Sequence, residues 1–430
     1  MMLSFRGVQS FIVCVCFLAT VLRSERVRFD GYEVLRVTVG SEKDLEVVKE
    51  ITASDKYDVW SYPGDIMTAP SDAEWLKERL REGGLQYQVM IADVQKAIDN
   101  ERAGSDSQTF SAQSAGVQNV HNFNYFVYHR YSEIDQWIKN TAAKYPGLAS
   151  EFILGRSYEK RVMRALKVGN SSHGGVKEAM WIHSGIHARE WITPATNMWM
   201  TNQMLMEYGS DDVITELLDR YDLYILICMN PDGYEFTWDE NRLWRKTRTP
   251  NLGSECVGTD PNRNWDYEWG GAGVSFNPCS TTFCGPYPQS EIEVKTVVDF
   301  LQEKAKTQQF RFFMDIHSFS NMFLNPWGYT SELPADYDEH MNIAKVFVDA
   351  LEAVNGIKYT YGTIPALLYP SSGSSVDWGY GVLKIKYSHA LELRDDGTFG
   401  FLLPEDQIEP TARETYAGFK ALYAYIMERS

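Results

Sequence analysis

A chain of 430 residues with 44% apolar content and abundant aromatics can bury a large core, which argues against a disordered or fibrous protein. Its length suits one large domain with an appendage. Against 41 basic residues stand 58 acidic ones, a net charge of −17, so neither nucleic acid nor an anionic membrane surface is the expected partner.

Residues 1–24 read as a secretory signal: Arg6, an apolar run from Phe11 to Leu22, then small or polar residues. That run is too short to span a bilayer, and no later segment is long and apolar enough to do so. The expectation is a secreted, extracellular, soluble chain. Cys14 and Cys16 leave with the signal, and Cys228, Cys256, Cys279 and Cys284 remain. In an oxidising compartment Cys256 and Cys279 are well placed to close a loop, a disulfide worth about 3 kcal/mol. Cys228, inside the apolar LYILICMN, reads as a buried free thiol, and Cys284 has no partner that the sequence identifies. Asn170-Ser171-Ser172 is a glycosylation sequon, a pattern that also arises by chance.

Residues 25–102 predict a small separate domain. A strand over Tyr32–Val39 leads to a helix from Ser41 to about Ala53, and short strands follow at Tyr57–Tyr62 and Asp65–Ala69. A second helix runs from Ser71, as its cap, to the glycine pair at Gly83, before a strand at Leu85–Val94 and a charged helical tail to Arg102. This order predicts an open α/β sandwich. Residues 103–121, dominated by Ser, Gln, Gly, Ala and Asn, form a linker. No Lys or Arg lies between Arg102 and Arg130, so a trypsin-like protease can cut at Arg102 and nowhere again before Arg130.

From 122 to 430 strand and helix patterns alternate. Strands are predicted at EFILGRS, RALKVG, EAMWIHS, LYILICMN, RFFMDIHS, IKYT and KYSHALEL, and helices at Trp191–Met206, Ser290–Lys304, Tyr337–Val354 and Thr411–Met427. The fold class is α/β, with a mixed, mostly parallel sheet flanked by helices.

GIHAREWI (Gly185–Ile192) falls where a strand pattern yields to a helical one. His187 and Glu190, three apart on an expected first helical turn, point into one volume. Imidazole plus carboxylate is a zinc-ligand pairing that needs one more protein ligand and an open position. The alternative is a helix-start histidine with a carboxylate that complements the helix dipole. His317, ending the strand RFFMDIHS, is the third candidate, because strand ends are where an α/β fold collects its chemistry. Asp260 in GTDPNRNW is either an acceptor for the free ring nitrogen of His187 or a turn residue ahead of Pro261. Arg242, Arg245 and Arg248 form either a solvated basic face or a groove that grips a carboxylate, a role open also to Asn262 and Arg263. Glu392, following the strand HALEL, is a buried paired carboxylate or, if it faces the metal, a general base. His183 and His389 read as structural.

GIHAREW, NRLWRKTR, DPNRNW, DIHSFS, LYPSSGSSVDW and LELRDDG, in that order, resemble the zinc metallocarboxypeptidases of the carboxypeptidase A/B type. The resemblance runs from about Phe123 to the C-terminus, and the segment before it is similar to that family's propeptide. It implies one zinc per chain, held by His187, Glu190 and His317, with Glu392 as the catalytic glutamate that carries a proton from water to the leaving amine. Arg245 would polarise the scissile carbonyl and stabilise the oxyanion. Asn262, Arg263 and Tyr369 would hold the terminal carboxylate of a peptide. Ser318, Phe319, Ile364, Val376 and Phe401 match substrate-lining positions.

Val376 stands where basic-specific members carry Asp, and an apolar floor cannot compensate a buried Lys or Arg charge. The implied substrates are therefore peptide and protein C-termini with aromatic or large aliphatic residues. A monomeric precursor, inactive until a trypsin-like protease removes the propeptide, is also implied. Three departures stand out: Phe319 replaces a frequent Tyr, Gly270 occupies the place of a partner for Cys284, and the linker has no basic residue near the start of the mature domain. Two rivals are a dead homologue that binds peptides, disfavoured by a complete set of catalytic residue types, and a zinc deacylase, disfavoured by the carboxylate clamp and propeptide.

Overall fold

The computed structural model describes residues 26–52, 56–61, 64–101, 123–172 and 175–429. The expected signal at 1–24, the linker at 103–121 and the cleavage point Arg102 lie outside the described residues.

An N-terminal unit contains β1 (Glu33–Thr38), α1 (Glu42–Thr52), β2 (Asp58–Ser61), β3 (Asp65–Thr68), α2 (Ala73–Glu82) and β4 (Gln86–Ile91), followed by a helix over 94–101, α3. The strands form an antiparallel sheet in the order β2-β3-β1-β4. Because side chains alternate along a strand, consecutive Val34 and Leu35 serve opposite faces. Leu35, Val37 and Ile66 pack beneath α1 and α2 through Val48, Ile51, Leu76 and Leu80. Val34, Trp60, Met67 and Ile91, with Val94 and Ile98 of α3, instead pack on Leu243, Phe319, Phe401 and Leu402 of the larger body. The open face of the sandwich is thus closed by the rest of the chain. Ser71 is not the cap of α2: Asp72 occupies that position, and the Ser71 hydroxyl donates to the Asp72 carboxylate at 3.2 Å.

The larger body is an eight-stranded sheet in the order β11-β10-β12-β9-β7-β8-β6-β5, with β11 (Thr360–Thr363) at one edge. Its central strands are β7 (Glu178–Ser184), β8 (Tyr221–Leu226), β9 (Phe310–Ser318) and β12 (Tyr387–Leu393). Pairs β7–β8, β7–β9 and β9–β12 are parallel, whereas the outer β5 (Ala149–Arg156) and β6 (Val162–Val168) run antiparallel. Apolar residues fill both faces of the centre, as buried parallel strands require. One face packs on α4 (Tyr131–Lys144), α5 (Ile192–Glu207), α6 (Asp212–Arg220), α9 (Tyr337–Asn355) and α12 (Ile408–Met427). The other packs on α8 (Ile292–Ala305) and on α11 (Ser375–Gly381), whose Trp378 meets Trp265 and Phe313. The sequence patterns missed β10 (Met322–Asn325), α4, α6, α7 (Pro231–Asp239), α10 (Ile364–Leu367) and α11, placed at IKYT a strand that meets β11 only at Thr360, and carried LYILICMN four residues beyond the end of β8 at Leu226. Cys256 and Cys279 are disulfide-bonded, while Cys228 and Cys284 are buried free thiols.

Glu293 on α8 is fully buried. It accepts one hydrogen bond, from the Tyr158 N–H at 2.9 Å, and its other oxygen has no partner. Burial pushes its carboxyl up to about 7, against the pull of that N–H. A folded-state pKa raised above the unfolded value of about 4.3 stabilises the fold at low pH, and the contribution is lost as pH rises to about 7. The stability of the native chain minus that of Glu293→Gln should therefore fall between pH 4.5 and 7. Denaturant midpoints across that range check this, and a pH-independent difference would contradict it.

Candidate metal centre

His187 and Glu190 lie in the connection leaving β7. Gly185 opens it at φ +62°, where an added Cβ would approach Cys228 and the Pro194 ring to 3.2 Å, so the tight corner requires glycine. The two side chains do not sit on a first helical turn. They occupy a turn ahead of α5, which begins at Ile192, with the Glu190 N–H reaching the His187 carbonyl at a long 3.4 Å. His317 stands near the end of β9, and parallel pairing sets it beside Glu392 of β12. All three metal-ligand candidates are buried.

Their donor atoms converge: one ligand atom from each lies within 4.8 Å of the others. Nδ1 of His187 is 2.8 Å from Glu190 Oε1, and Nδ1 of His317 is 3.1 Å from Nδ1 of His187 and 3.2 Å from Glu190 Oε2. Four-coordinate zinc, with ligand bonds of about 2.0–2.1 Å, spaces its donors about 3.3 Å apart, close to these separations. The far ring nitrogens face carboxylates: His187 Nε2 is 3.1 Å from Asp260 Oδ1, and His317 Nε2 is 2.9 Å from Asp315 Oδ2. Carboxylates only accept, so with a cation among the donors the ring protons sit on Nε2 towards Asp260 and Asp315 and the Nδ1 lone pairs turn inward, whereas without one the Glu190 carboxylate can itself accept an Nδ1 proton. Such an array is repulsive unless a cation lies between the donors, and two imidazoles with one carboxylate suit zinc. Burial works to raise the Glu190 carboxyl, but positive charge on His187 and His317 overcomes it and holds it at about 2, a part that a bound metal cation takes over.

Asp260 also binds Arg245, accepting from Nη2 at 2.8 Å and Nε at 3.1 Å. The remaining Nη1 is 4.0 Å from Glu190 Oε1. Of the three arginines weighed as a basic face, Arg245 alone lines the cavity. Arg242 is not solvated: it is buried in a bidentate pair with Glu101 of α3 at 2.6 and 2.7 Å. Arg248 lays its guanidinium over the ring of Phe236, 3.6 Å from the centroid.

A cavity of about 740 Å³ is lined by His187, Glu190, Arg245, Asn262, Arg263, His317, Ser318, Phe319, Ile364, Tyr369, Val376, Glu392 and Phe401, so every expected cleft residue reaches it. Asn262 and Arg263 start and end close together because Asp260 caps the short turn Pro261–Arg263. Arg263 donates to the Tyr369 hydroxyl at 2.8 Å. Beyond them Ile364 and Val376 form an apolar cluster with Leu324 and Ala390, two residues that sequence reading did not single out. Phe401 lies elsewhere on the wall, its ring 4.9 Å from Phe319 and 5.2 Å from Trp60. Glu392 is partly exposed to the cavity. Burial pushes its carboxyl up to about 8, opposed by His317 and assisted by Glu190.

The N-terminal unit roofs this cavity with Leu45, Lys49, Thr52, Tyr57, Val59, Trp60 and Ser61. Asp58 accepts from buried Arg189 at 2.7 Å, and Arg36 reaches the carbonyl of Asp396 at 2.7 Å. Arg189 and Asp315 are polar residues around the site that the sequence reading missed. The only available signal for each was its position, beside Glu190 and two before His317.

Residues 134–418 match the family described as zinc carboxypeptidase, and residues 35–101 match the carboxypeptidase activation peptide. Carboxypeptidase A1 of Sus scrofa is 42% identical over 396 residues, 90% of this chain and 92% of that protein. Carboxypeptidase A2 of Mus musculus is 40% identical over 408 residues, 93% of this chain and 95% of its own. Among solved structures, thrombin activatable fibrinolysis inhibitor aligns with TM-score 0.83 at 33% identity, covering 94% of this chain and 100% of that one. Carboxypeptidase A from Helicoverpa armigera gives 0.83 at 26% identity, with coverage of 94% and 98%.

Purified protein should carry one tightly held metal ion, and His317→Ala should lose it. Elemental analysis after dialysis decides the point: metal retained by that variant would remove His317 from the donor set.

Proposed function

Because this chain belongs to the zinc carboxypeptidases made with an activation peptide, as an enzyme with zinc as its cofactor, we propose that it is a secreted zymogen whose mature form removes aromatic and large aliphatic C-terminal residues. The boundaries adopted are a signal at 1–24, a propeptide at 25–102, a linker at 103–121 and a catalytic domain at 122–430, with activation by a trypsin-like protease at Arg102 and a monomeric product. The observation that carries the substrate preference is the apolar end of the cavity, walled by Leu324, Ile364, Val376 and Ala390. The acidic residues lining the cavity are Glu190 and Glu392, both at its metal end.

Zinc, when bound by His187, Glu190 and His317, supplies a Lewis acid and makes water a nucleophile near neutral pH. Asn262, Arg263 and Tyr369 grip the substrate's terminal carboxylate, guanidinium being shaped for two parallel hydrogen bonds to it. That anchor sets the last peptide bond beside Arg245, whose orientation Asp260 fixes and whose guanidinium stabilises the oxyanion that forms. Glu392 accepts a proton from the attacking water and delivers it to the departing amine. Burial pushes its carboxyl up to about 8, and positive charge from a bound dication would lower it into a working range. The side chain being released enters the apolar pocket, with Ser318 and Phe319 lining the cleft.

In the precursor the propeptide occupies the approach to the cleft. Its firmest tie is Arg242–Glu101, both buried. Removing one partner of such a buried pair costs about 3–5 kcal/mol because it strands the other charge.

Three measurements test these readings. Matched peptides ending in Phe or Leu should be cleaved with a kcat/KM at least about 100-fold above those ending in Lys or Arg, since an uncompensated buried charge costs several kcal/mol; equal rates would overturn the assignment. Glu392→Gln should lower kcat by about 10²–10⁴ with zinc content unchanged, and turnover near the native rate would deny it the proton-transfer role. Glu101→Ala should weaken inhibition by the propeptide at least about 100-fold, read as peptide hydrolysis by the uncut precursor, and an equally silent precursor would dismiss this tie.

A further inference from the structure

Behind His317 lies a chain of buried polar groups that the mechanism above does not use. Trp181 and His183 share one face of β7, Asp315 and His317 share the same face of β9, and the register of the two strands pairs His183 with Asp315. Trp181, His183, Asp315 and Ser375 are all fully buried. Trp181 Nε1 donates to His183 Nδ1 at 2.9 Å. An indole nitrogen can only donate, so His183 Nδ1 must accept and its proton must sit on Nε2. That atom faces Asp315 Oδ1 at 3.1 Å, a bent approach, and neither atom has a better partner. The second oxygen of Asp315 accepts from Ser375 Oγ at 2.5 Å and stands 2.9 Å from His317 Nε2 as an ion-pair contact off the line of a good hydrogen bond.

His317 Nε2 has a competing neighbour, Asn262 Nδ2 at 3.2 Å. The Asn262 oxygen already accepts from the Ser375 N–H at 2.9 Å, which makes Nδ2 a donor. The two neighbours of His317 Nε2 therefore call for opposite tautomers, and at Nδ1 the Glu190 carboxylate can accept a proton until a metal takes its place. A hydrogen bond from Asn262 would need a lone pair on Nε2 and would drive the proton to Nδ1, where a metal ligand must be deprotonated. The Asp315 carboxylate calls for the proton on Nε2 and leaves Nδ1 free.

We propose that Asp315, held as an acceptor by Ser375 and faced by a His183 whose tautomer Trp181 dictates, is the positioning residue that decides the tautomer of His317. Asp315 thereby prepares Nδ1 for the metal and keeps the Asn262 amide hydrogens for the substrate's carboxylate. The inference rests on the reading of His187, Glu190 and His317 as the zinc ligands. It assigns to this strand pair a function that neither the metal-ligand set nor the fold requires, since Asp260 serves His187 from a loop by an independent route.

The test uses the full-length precursor with Asp315→Asn, Trp181→Phe and Ser375→Ala. Zinc affinity is read by competition with a fluorescent chelator, and histidine tautomers are read from 15N-histidine spectra of the zinc-free protein. Loss of an outer partner of a ligating histidine weakens metal binding about 10–100-fold, and that range is expected for Asp315→Asn. Smaller losses are expected for Trp181→Phe and Ser375→Ala, with a histidine shifting from the Nε2–H form in each. Unchanged zinc affinity in Asp315→Asn overturns the proposal. Should that variant not fold, unchanged affinity and unchanged tautomers in Trp181→Phe overturn it instead. Failure of the ligand reading looks different: the native chain itself then binds no zinc, or His317→Ala binds it equally well.

Discussion

Lone pairs aimed at one another with no proton between them are costly to bury, and the geometry around His187, Glu190 and His317 depends on that cost being met. Two aspartates accept the outer ring protons, so all three inner donors can turn their lone pairs on one cation. The scaffold must hold this arrangement before the metal arrives. It does so with buried parallel strands, whose side-chain directions are fixed by hydrogen-bond register rather than by loop conformation. His317 and Glu392 stand side by side because β9 and β12 pair in one register. A slip of one residue would turn Glu392 to the opposite face.

The cleft separates two carboxylates by environment. Glu190, facing positive charge from the two histidine rings or from the cation they hold, stays ionised far below neutrality, whereas Glu392, partly open to the cavity but surrounded by low-dielectric wall, holds a proton more readily than an ordinary glutamate. One is suited to remain a ligand throughout and the other to exchange a proton, and the difference comes from neighbours, not residue type. The same division appears along the cavity, with charge at the metal end and aliphatic side chains at the other.

The N-terminal unit shows how one surface serves stability and restraint at once. The face of its sheet that α1 and α2 leave bare is as apolar as a core, and it is buried only because the larger body covers it. Burial of Trp60 against Phe401 and of Arg242 against Glu101 ties that cover to residues beside the cleft. The hydrophobic effect thus places the unit where it obstructs access to the metal.

Spacing within the chain was enough to mark His187 and Glu190 as a pair, to set His317 at a strand end, and to outline the alternating α/β plan, because these properties depend on near neighbours and on periodicity. Long buried strands such as EAMWIHS and RFFMDIHS were legible for the same reason, whereas short β10 and the half-polar helix α4 carry too little pattern to stand out. What the chain order could not decide was which distant groups meet. Arg242 belongs to a basic run in sequence, yet folding buries it against a carboxylate 141 residues away. Asp315 looks like an interruption in an apolar strand until β7 brings His183 to it. Leu324 and Ala390 become one pocket wall only when β10 and β12 pair. Local sequence specifies period and residue chemistry. Strand register and the packing of sheet against helix determine which of those chemistries share a dielectric environment and a lone pair's line of sight.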